Sequence, residues 1–158
     1  MTESELVRSR LPFKPTNERI SFRRSETSDS DRKGLKVAIV EDEDHLRSLY
    51  SLTLRNRGFE VLISAHCGEQ MLSAMDESKA RNVDVAIVDY RLGKGMNGLD
   101  IAKLILEANS RVRIIIATAD DSITKEAKAA GYSILIKPFS IQQLFECVSE
   151  QLNCKVLS

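Results

Sequence analysis

The chain carries no excess of either charge: 23 Lys and Arg stand against 23 Asp and Glu. Bulk attraction to nucleic acid or to an acidic membrane surface is therefore not expected, and no direct nucleic-acid or membrane partner is inferred. No apolar run approaches the roughly 18 residues that a membrane-spanning helix needs. The opening stretch, MTESELVRSRLPFKP, lacks the apolar core of a secretory signal, so the expected location is the cytoplasm. Cysteine is scarce. Cys67, Cys147 and Cys154 are odd in number and lack metal-ligand spacing, which reads as reduced thiols. Cys147 and Cys154 are spaced to share a helix face, which leaves an intermolecular bridge as the alternative. No internal repeat is visible.

What is present divides in two. Residues 1–34 are rich in Arg, Ser, Thr, Asp and Glu and poor in large apolar side chains. Such a segment cannot bury enough surface to offset its ordering entropy, so a disordered tail is expected there. Its locally basic RISFRRSE stretch reads as a solvated leader, with a docking peptide or phosphorylation site as the alternative. The rest, 35–155, has the length and composition of one globular domain with a real core.

From Leu35 onward, short β-rich runs alternate with segments of helical periodicity. The strand candidates are LKVAIV, FEVLIS, VDVAIV, RVRIIIAT and YSILIK. Helical stripes are expected from Leu46, Leu49, Leu52 and Thr53, with Gly58 as the stop, and from Leu99, Ala102, Ile105 and Leu106. A last helix, N-capped by Ser140, is expected to bury Leu144, Phe145, Val148 and Leu152. Strands that are apolar almost throughout are covered on both faces. The pattern predicts an α/β fold: a doubly wound five-stranded parallel sheet with helices on both faces.

In such a fold, ligands bind beyond the carboxyl ends of the strands. The first strand ends in Glu41-Asp42, the third in Asp89, the fourth in Thr118-Ala119 and the fifth in Lys137-Pro138. The second, ending in Ser64-Ala65, offers little chemistry. Of the four acids in VAIVEDED, Glu43 and Asp44 start a helix, where negative charge is mildly stabilising. Glu41, Asp42 and Asp89 would crowd together, and at ~5 Å and an effective dielectric of ~20 each like-charged pair costs about 3 kcal/mol. One lysine cannot offset that. Hard carboxylate oxygens on an open site suit Mg2+, with Mn2+ as the other candidate. His45, close behind the acids, reads as a solvent-facing residue of the first helical turn, because Mg2+ prefers oxygen. His66 sits in a loop without a nameable partner.

The segments VAIVEDED, VAIVDYRLGKGMNG, IIIATAD and LIKPF, in this order, resemble the receiver domain of two-component response regulators, of the stand-alone chemotaxis type. The likeness covers about Leu35 to Leu152. It implies a flavodoxin-like strand order 2-1-3-4-5 and a phosphorylation switch rather than an enzyme, though one that assists its own phosphorylation and dephosphorylation. Asp89 matches the aspartate that takes a phosphoryl group from a sensor histidine kinase or a histidine phosphotransfer protein. Asp42 matches the direct metal-binding acid, and Glu41 its neighbour. The backbone carbonyl of Arg91 matches the third protein ligand. Lys137 matches the lysine that pairs with the aspartate, and Thr118 the hydroxyl that turns toward the phosphoryl group. The resemblance also implies a cis Lys137-Pro138 peptide.

Three positions depart from the family pattern. Ile134 stands where well-known members carry a buried aromatic residue, with Tyr132 the nearest substitute. Leu92-Gly93 replaces a frequent Met-Pro, and Lys94-Gly95 extends that turn. Arg91, two past Asp89, points either to the phosphoryl group or to solvent. Because the chain ends where the last helix should, a stand-alone receiver is expected, monomeric or weakly dimeric. Its output would be binding to a downstream protein of unknown identity, or transfer to a phosphotransfer protein. The rival reading is a non-phosphorylated receiver-like docking or dimerisation module. An aspartate-nucleophile hydrolase would want an acid where Arg91 stands, and a nucleotide-binding fold would want a Gly-rich loop after the first strand.

Overall fold

The structure, a computed structural model, describes residues 34–77 and 82–153, without the side chains of the last two. The tail expected over 1–34 (Gly34 apart), Cys154 with its possible bridge to Cys147, and the burial of Leu152 lie outside what is described.

Five strands alternate with five helices: β1 (Lys36–Val40), α1 (Asp44–Asn56), β2 (Glu60–Ala65), α2 (Gly68–Asp76), β3 (Val85–Asp89), α3 (Gly98–Ala108), β4 (Arg113–Thr118), α4 (Thr124–Ala129), β5 (Ser133–Ile136) and α5 (Ile141–Asn153). A short 3-10 turn, Asp121–Ile123, leads into α4. The strands form one parallel sheet in the order β2-β1-β3-β4-β5. The order reverses direction between β1 and β3, which opens a crevice at their carboxyl ends.

Successive side chains point to opposite faces of the sheet, so its two faces build separate cores. Ala38, Val40, Ala86, Val88, Ile114 and Ile116 pack under α2, α3 and α4. Val37, Ile39, Val85, Ile87, Ile115 and Leu135 pack under α1 and α5. This is why β1, β3 and β4 read as continuous apolar runs: both faces are covered.

Helix α3 buries Leu99, Ala102 and Ile105 as the periodicity predicts, and Ile101 besides, with Leu106 half-buried. Helix α5 buries Leu144, Phe145 and Val148. Ser140 caps it reciprocally: its hydroxyl accepts the Gln143 N–H at 3.1 Å while its own N–H donates to the Gln143 side chain at 2.8 Å. Helix α1 departs from expectation. It buries Tyr50, Ser51, Thr53 and Leu54, whereas Leu49 and Leu52 are 42% and 58% exposed. At 3.6 residues per turn, the stripe that seats Tyr50 and Leu54 against Val37, Ile39 and Phe145 turns Leu49 and Leu52 off the buried face.

Candidate functional site

The polar residues that stay buried are instructive, because an apolar interior tolerates them only with partners. Glu41, Asp89 and Thr118 are buried, and all three end central strands at the same edge of the sheet. The fold therefore gathers what the sequence had dispersed over 96 positions. Lys137, just past β5, reaches both acids: its Nζ lies 2.9 Å from a Glu41 oxygen and 3.3 Å from Asp89 Oδ2. The other Asp89 oxygen accepts the Arg91 backbone N–H at 3.3 Å, and the second Glu41 oxygen accepts the Glu43 N–H at 3.2 Å. Asp42 is exposed at the rim. Carboxylate oxygens of Glu41, Asp42 and Asp89 lie within 4.8 Å of one another.

The electrostatics follow from that crowding. Burial pushes the Asp89 carboxyl above its ordinary value, against the pull of Lys137. Burial also raises Glu41, which bonds to Lys137 and feels the charge of Asp89. For Lys137, burial works toward a lower pKa, but the bond to Glu41 and the charge of Asp89 outweigh it, and the ammonium is held charged. The site carries more negative charge than its lysine compensates. Three convergent oxygens open to solvent on the Asp42 side fit a small hard divalent cation.

Thr118 completes the constellation from β4. Its hydroxyl oxygen accepts the Asp120 N–H at 2.9 Å. Asp120 is a residue the sequence did not single out. Its carboxylate caps the 3-10 turn through the Ser122 N–H at 3.0 Å and holds the Arg91 guanidinium at 3.2 Å. Bonds from Ser122, and then the Arg91 guanidinium, pull its carboxyl below the ordinary value. The Asp-x-Ser spacing behind Thr118 was the available signal, since Asp favours such caps. Arg91 thus has a third arrangement between the two weighed above: its side chain is 77% exposed, yet tethered to the β4 loop.

Tyr132 does not stand in for the missing aromatic. Thr118 is the cross-strand partner of Ile136, four residues beyond Tyr132, which places the tyrosine about 13 Å along the strand. Tyr132 instead packs with the α3 and α4 side chains, and Ile134 lies beside Ile116. The Lys137-Pro138 peptide is cis. His45 is exposed on the first turn of α1, and His66 is exposed with its N–H donated to Gln70.

The loop from β3 to α3 turns at Gly93 and Gly95, both at positive φ. It ends in Asn97, whose side chain accepts the N–H groups of Leu99 and Asp100 and so caps α3. Gly98 then presses on the backbone of the central acid. A Cβ there would lie 2.5 Å from the Asp89 carbonyl oxygen and 2.8 Å from Tyr90 Cα. Only glycine permits that approach.

An apolar groove of about 360 Å3 adjoins the site, formed by Leu46, Leu49 and Tyr50 of α1 with Phe139, Ile141 and the stem of Lys137. Among the described residues no helix is long and apolar enough to cross a membrane.

Comparison with known proteins shows the family of the chain. The family model of the response regulator receiver domain matches residues 37–149. The DNA-binding response regulator MtrA of Mycolicibacterium paratuberculosis is 30% identical over 123 residues, which is 75% of this chain and 51% of that protein. The chain thus spans about half the length of that relative. Sporulation initiation phosphotransferase F of Bacillus subtilis is 26% identical over 123 residues, 76% of this chain and 95% of that protein. A response regulator receiver domain protein from Clostridium thermocellum superimposes with a TM-score of 0.69 at 25% identity, over 78% of this chain and 98% of the other.

Proposed function

Since the chain belongs to the response regulator receiver domain family of two-component systems, we propose that it is a phosphorylation-controlled switch in which Asp89 accepts a phosphoryl group. The donor is a phosphohistidine on a sensor histidine kinase or a histidine phosphotransfer protein, and the outcome is altered binding to a downstream protein. The observation that carries this reading is the placing of Lys137 Nζ 2.9 Å from Glu41 and 3.3 Å from Asp89 beside three convergent carboxylates.

Phosphoryl transfer asks a protein mainly for positioning and charge neutralisation. An Asp89 carboxylate oxygen attacks phosphorus, the phosphorus–nitrogen bond breaks, and the departing imidazole takes up a proton. Glu41, Asp42, Asp89 and the Arg91 carbonyl would hold Mg2+, with Mn2+ an alternative. The cation supplies neutralisation of charge on the phosphoryl oxygens. Lys137 serves the same end, exchanging its Asp89 contact for a phosphoryl oxygen. Thr118 accepts from Asp120 and so keeps its own hydroxyl proton to donate to the phosphoryl group. Ala119 is small and leaves room for it.

Turning Thr118 breaks its bond to Asp120, which also holds Arg91 and caps the turn into α4. That linkage carries the change toward α4, β5 and α5, where Ile136 is 42% exposed. No aromatic at position 134 takes part.

A second reading, the same fold as a fixed docking or dimerisation module, is favoured by the apolar groove beside Lys137, which needs no phosphoryl group to be present. Intact-mass spectrometry after incubation with acetyl phosphate separates the two. A Mg2+-dependent gain of one phosphoryl group, absent in Asp89→Asn, is expected. Folded protein that gains nothing from acetyl phosphate or from a phosphorylated histidine donor would leave the docking module as the better account.

A further inference from the structure

The four acids of the β1–α1 turn repel one another, yet the turn must present Asp42 to Asp89. Among the described residues, the Asp42 carboxylate has no hydrogen-bond partner of its own, so its position is inherited from the backbone that carries it. That backbone is pinned on one side by the Glu41 N–H, which donates to the Ala65 carbonyl at 3.0 Å. On the other side stands Arg47, from the first turns of α1. One of its guanidinium nitrogens donates to the Glu41 carbonyl at 2.7 Å, and another pairs with the Asp44 carboxylate. The side chain is only 18% exposed. A single planar fork therefore ties the first residue of the acid run to the last and spans the Asp42 peptide between them.

We propose that Arg47 is a positioning residue for the divalent cation: it fixes the turn so that Glu41 and Asp42 face Asp89. The inference rests on the reading of these acids as a cation site. It goes beyond that reading by assigning the site a support that donates no ligand to it. Groups that orient metal ligands from behind typically contribute 10–100-fold in metal affinity.

Charge and geometry make opposite demands here, and this allows a sharp test. As a bare cation near the site, Arg47 repels Mg2+, and its neutralisation would tighten binding. As a brace, it favours Mg2+, and its loss would weaken binding. Arg47→Lys retains the charge but not the two-pronged grip. Mg2+ affinity is to be measured by titration calorimetry on the full chain for wild type, Arg47→Gln, Arg47→Lys and Asp42→Asn. Circular dichroism and melting in EDTA establish that each variant is folded.

The brace predicts a Kd for Mg2+ raised about tenfold in both Arg47 variants while the metal-free fold persists. Equal or tighter binding by Arg47→Gln would overturn it and leave Arg47 as a charge or a helix-surface residue. So would an unchanged Kd in Arg47→Lys. Absence of saturable Mg2+ binding in wild type, or an Asp42→Asn affinity equal to wild type, would overturn the cation-site reading itself, and the brace with it.

Discussion

Two aspartates bracket strand β3, and the same side chain does different work at its two ends. Asp84, just before the strand, accepts the Lys36 N–H on its carboxylate at 3.0 Å. Its own N–H donates to the Lys36 carbonyl at 2.8 Å, and its carbonyl accepts the Arg113 N–H at 2.9 Å. It stitches β1, β3 and β4 together where they begin. Asp89, at the far end, faces two other acids and a lysine that it shares with one of them. A carboxylate satisfied by fixed backbone donors is structural. One held by a side chain that can exchange partners is available for chemistry.

That contrast can be broken in four ways. The largest effect is expected from Lys137→Ala, which strands two buried acids without their common cation. Removing one partner of a buried pair costs about 3 kcal/mol, read as a lowered urea midpoint in metal-free buffer and partly recovered with Mg2+. Asp84→Ala should follow, at about 1–2 kcal/mol for an orphaned backbone donor. Its phosphoryl gain from acetyl phosphate should match wild type once folding is allowed for. The converse behaviour would collapse the distinction between the ends.

Asp89→Asn should shift stability in the opposite direction. Burial holds the Asp89 carboxyl above its ordinary 3.8, so the folded state keeps the proton more tightly than the unfolded chain does. The stability due to that proton is complete below 3.8 and is lost as pH rises through the raised value. At neutral pH without metal, the amide variant should therefore melt higher than wild type, and the two should converge as pH falls toward 3.8. Arg91→Ala is expected to be smallest, with a barely shifted denaturation midpoint, because its ion pair with Asp120 is solvent-exposed. Chemical denaturation resolves that difference.

The fold was legible because both signals that specify it are local. Doubly covered strands leave unbroken apolar runs, and a ligand crevice leaves charge where those runs stop. Glu41, Asp42, Asp89, Thr118 and Lys137 could all be placed at one edge on that basis, and the structure brings them together. What escaped depends on rotation and on partner choice. The apolar stripe of α1 was misread because Leu49 and Leu52 share its period, while the face that buries Tyr50 and Leu54 is set by packing against β1 and Phe145. Helix α4 was expected from the alternation after the fourth strand; what the pattern did not give is how short it is, with six residues and one buried side chain. Arg47 donates to the Glu41 carbonyl, and a backbone acceptor has no residue type to read, whereas Asp120 left only the short Asp-x-Ser cap as its signal. The direction of Arg91 was decided by an acid 29 positions away.

The contact between Gly98 and the Asp89 peptide limits how this sequence can drift. Most crowded positions tolerate a methyl group because a neighbouring side chain swings aside. At position 98 the obstacle is main chain, with a carbonyl oxygen 2.5 Å from where the methyl would sit. Even alanine must therefore lift the first turn of α3 off the sheet or displace the residue that the proposed chemistry uses. In a mutational scan, position 98 should score as an active-site residue although it has no side chain, and a selection for phosphorylation would report it as readily as Asp89 itself.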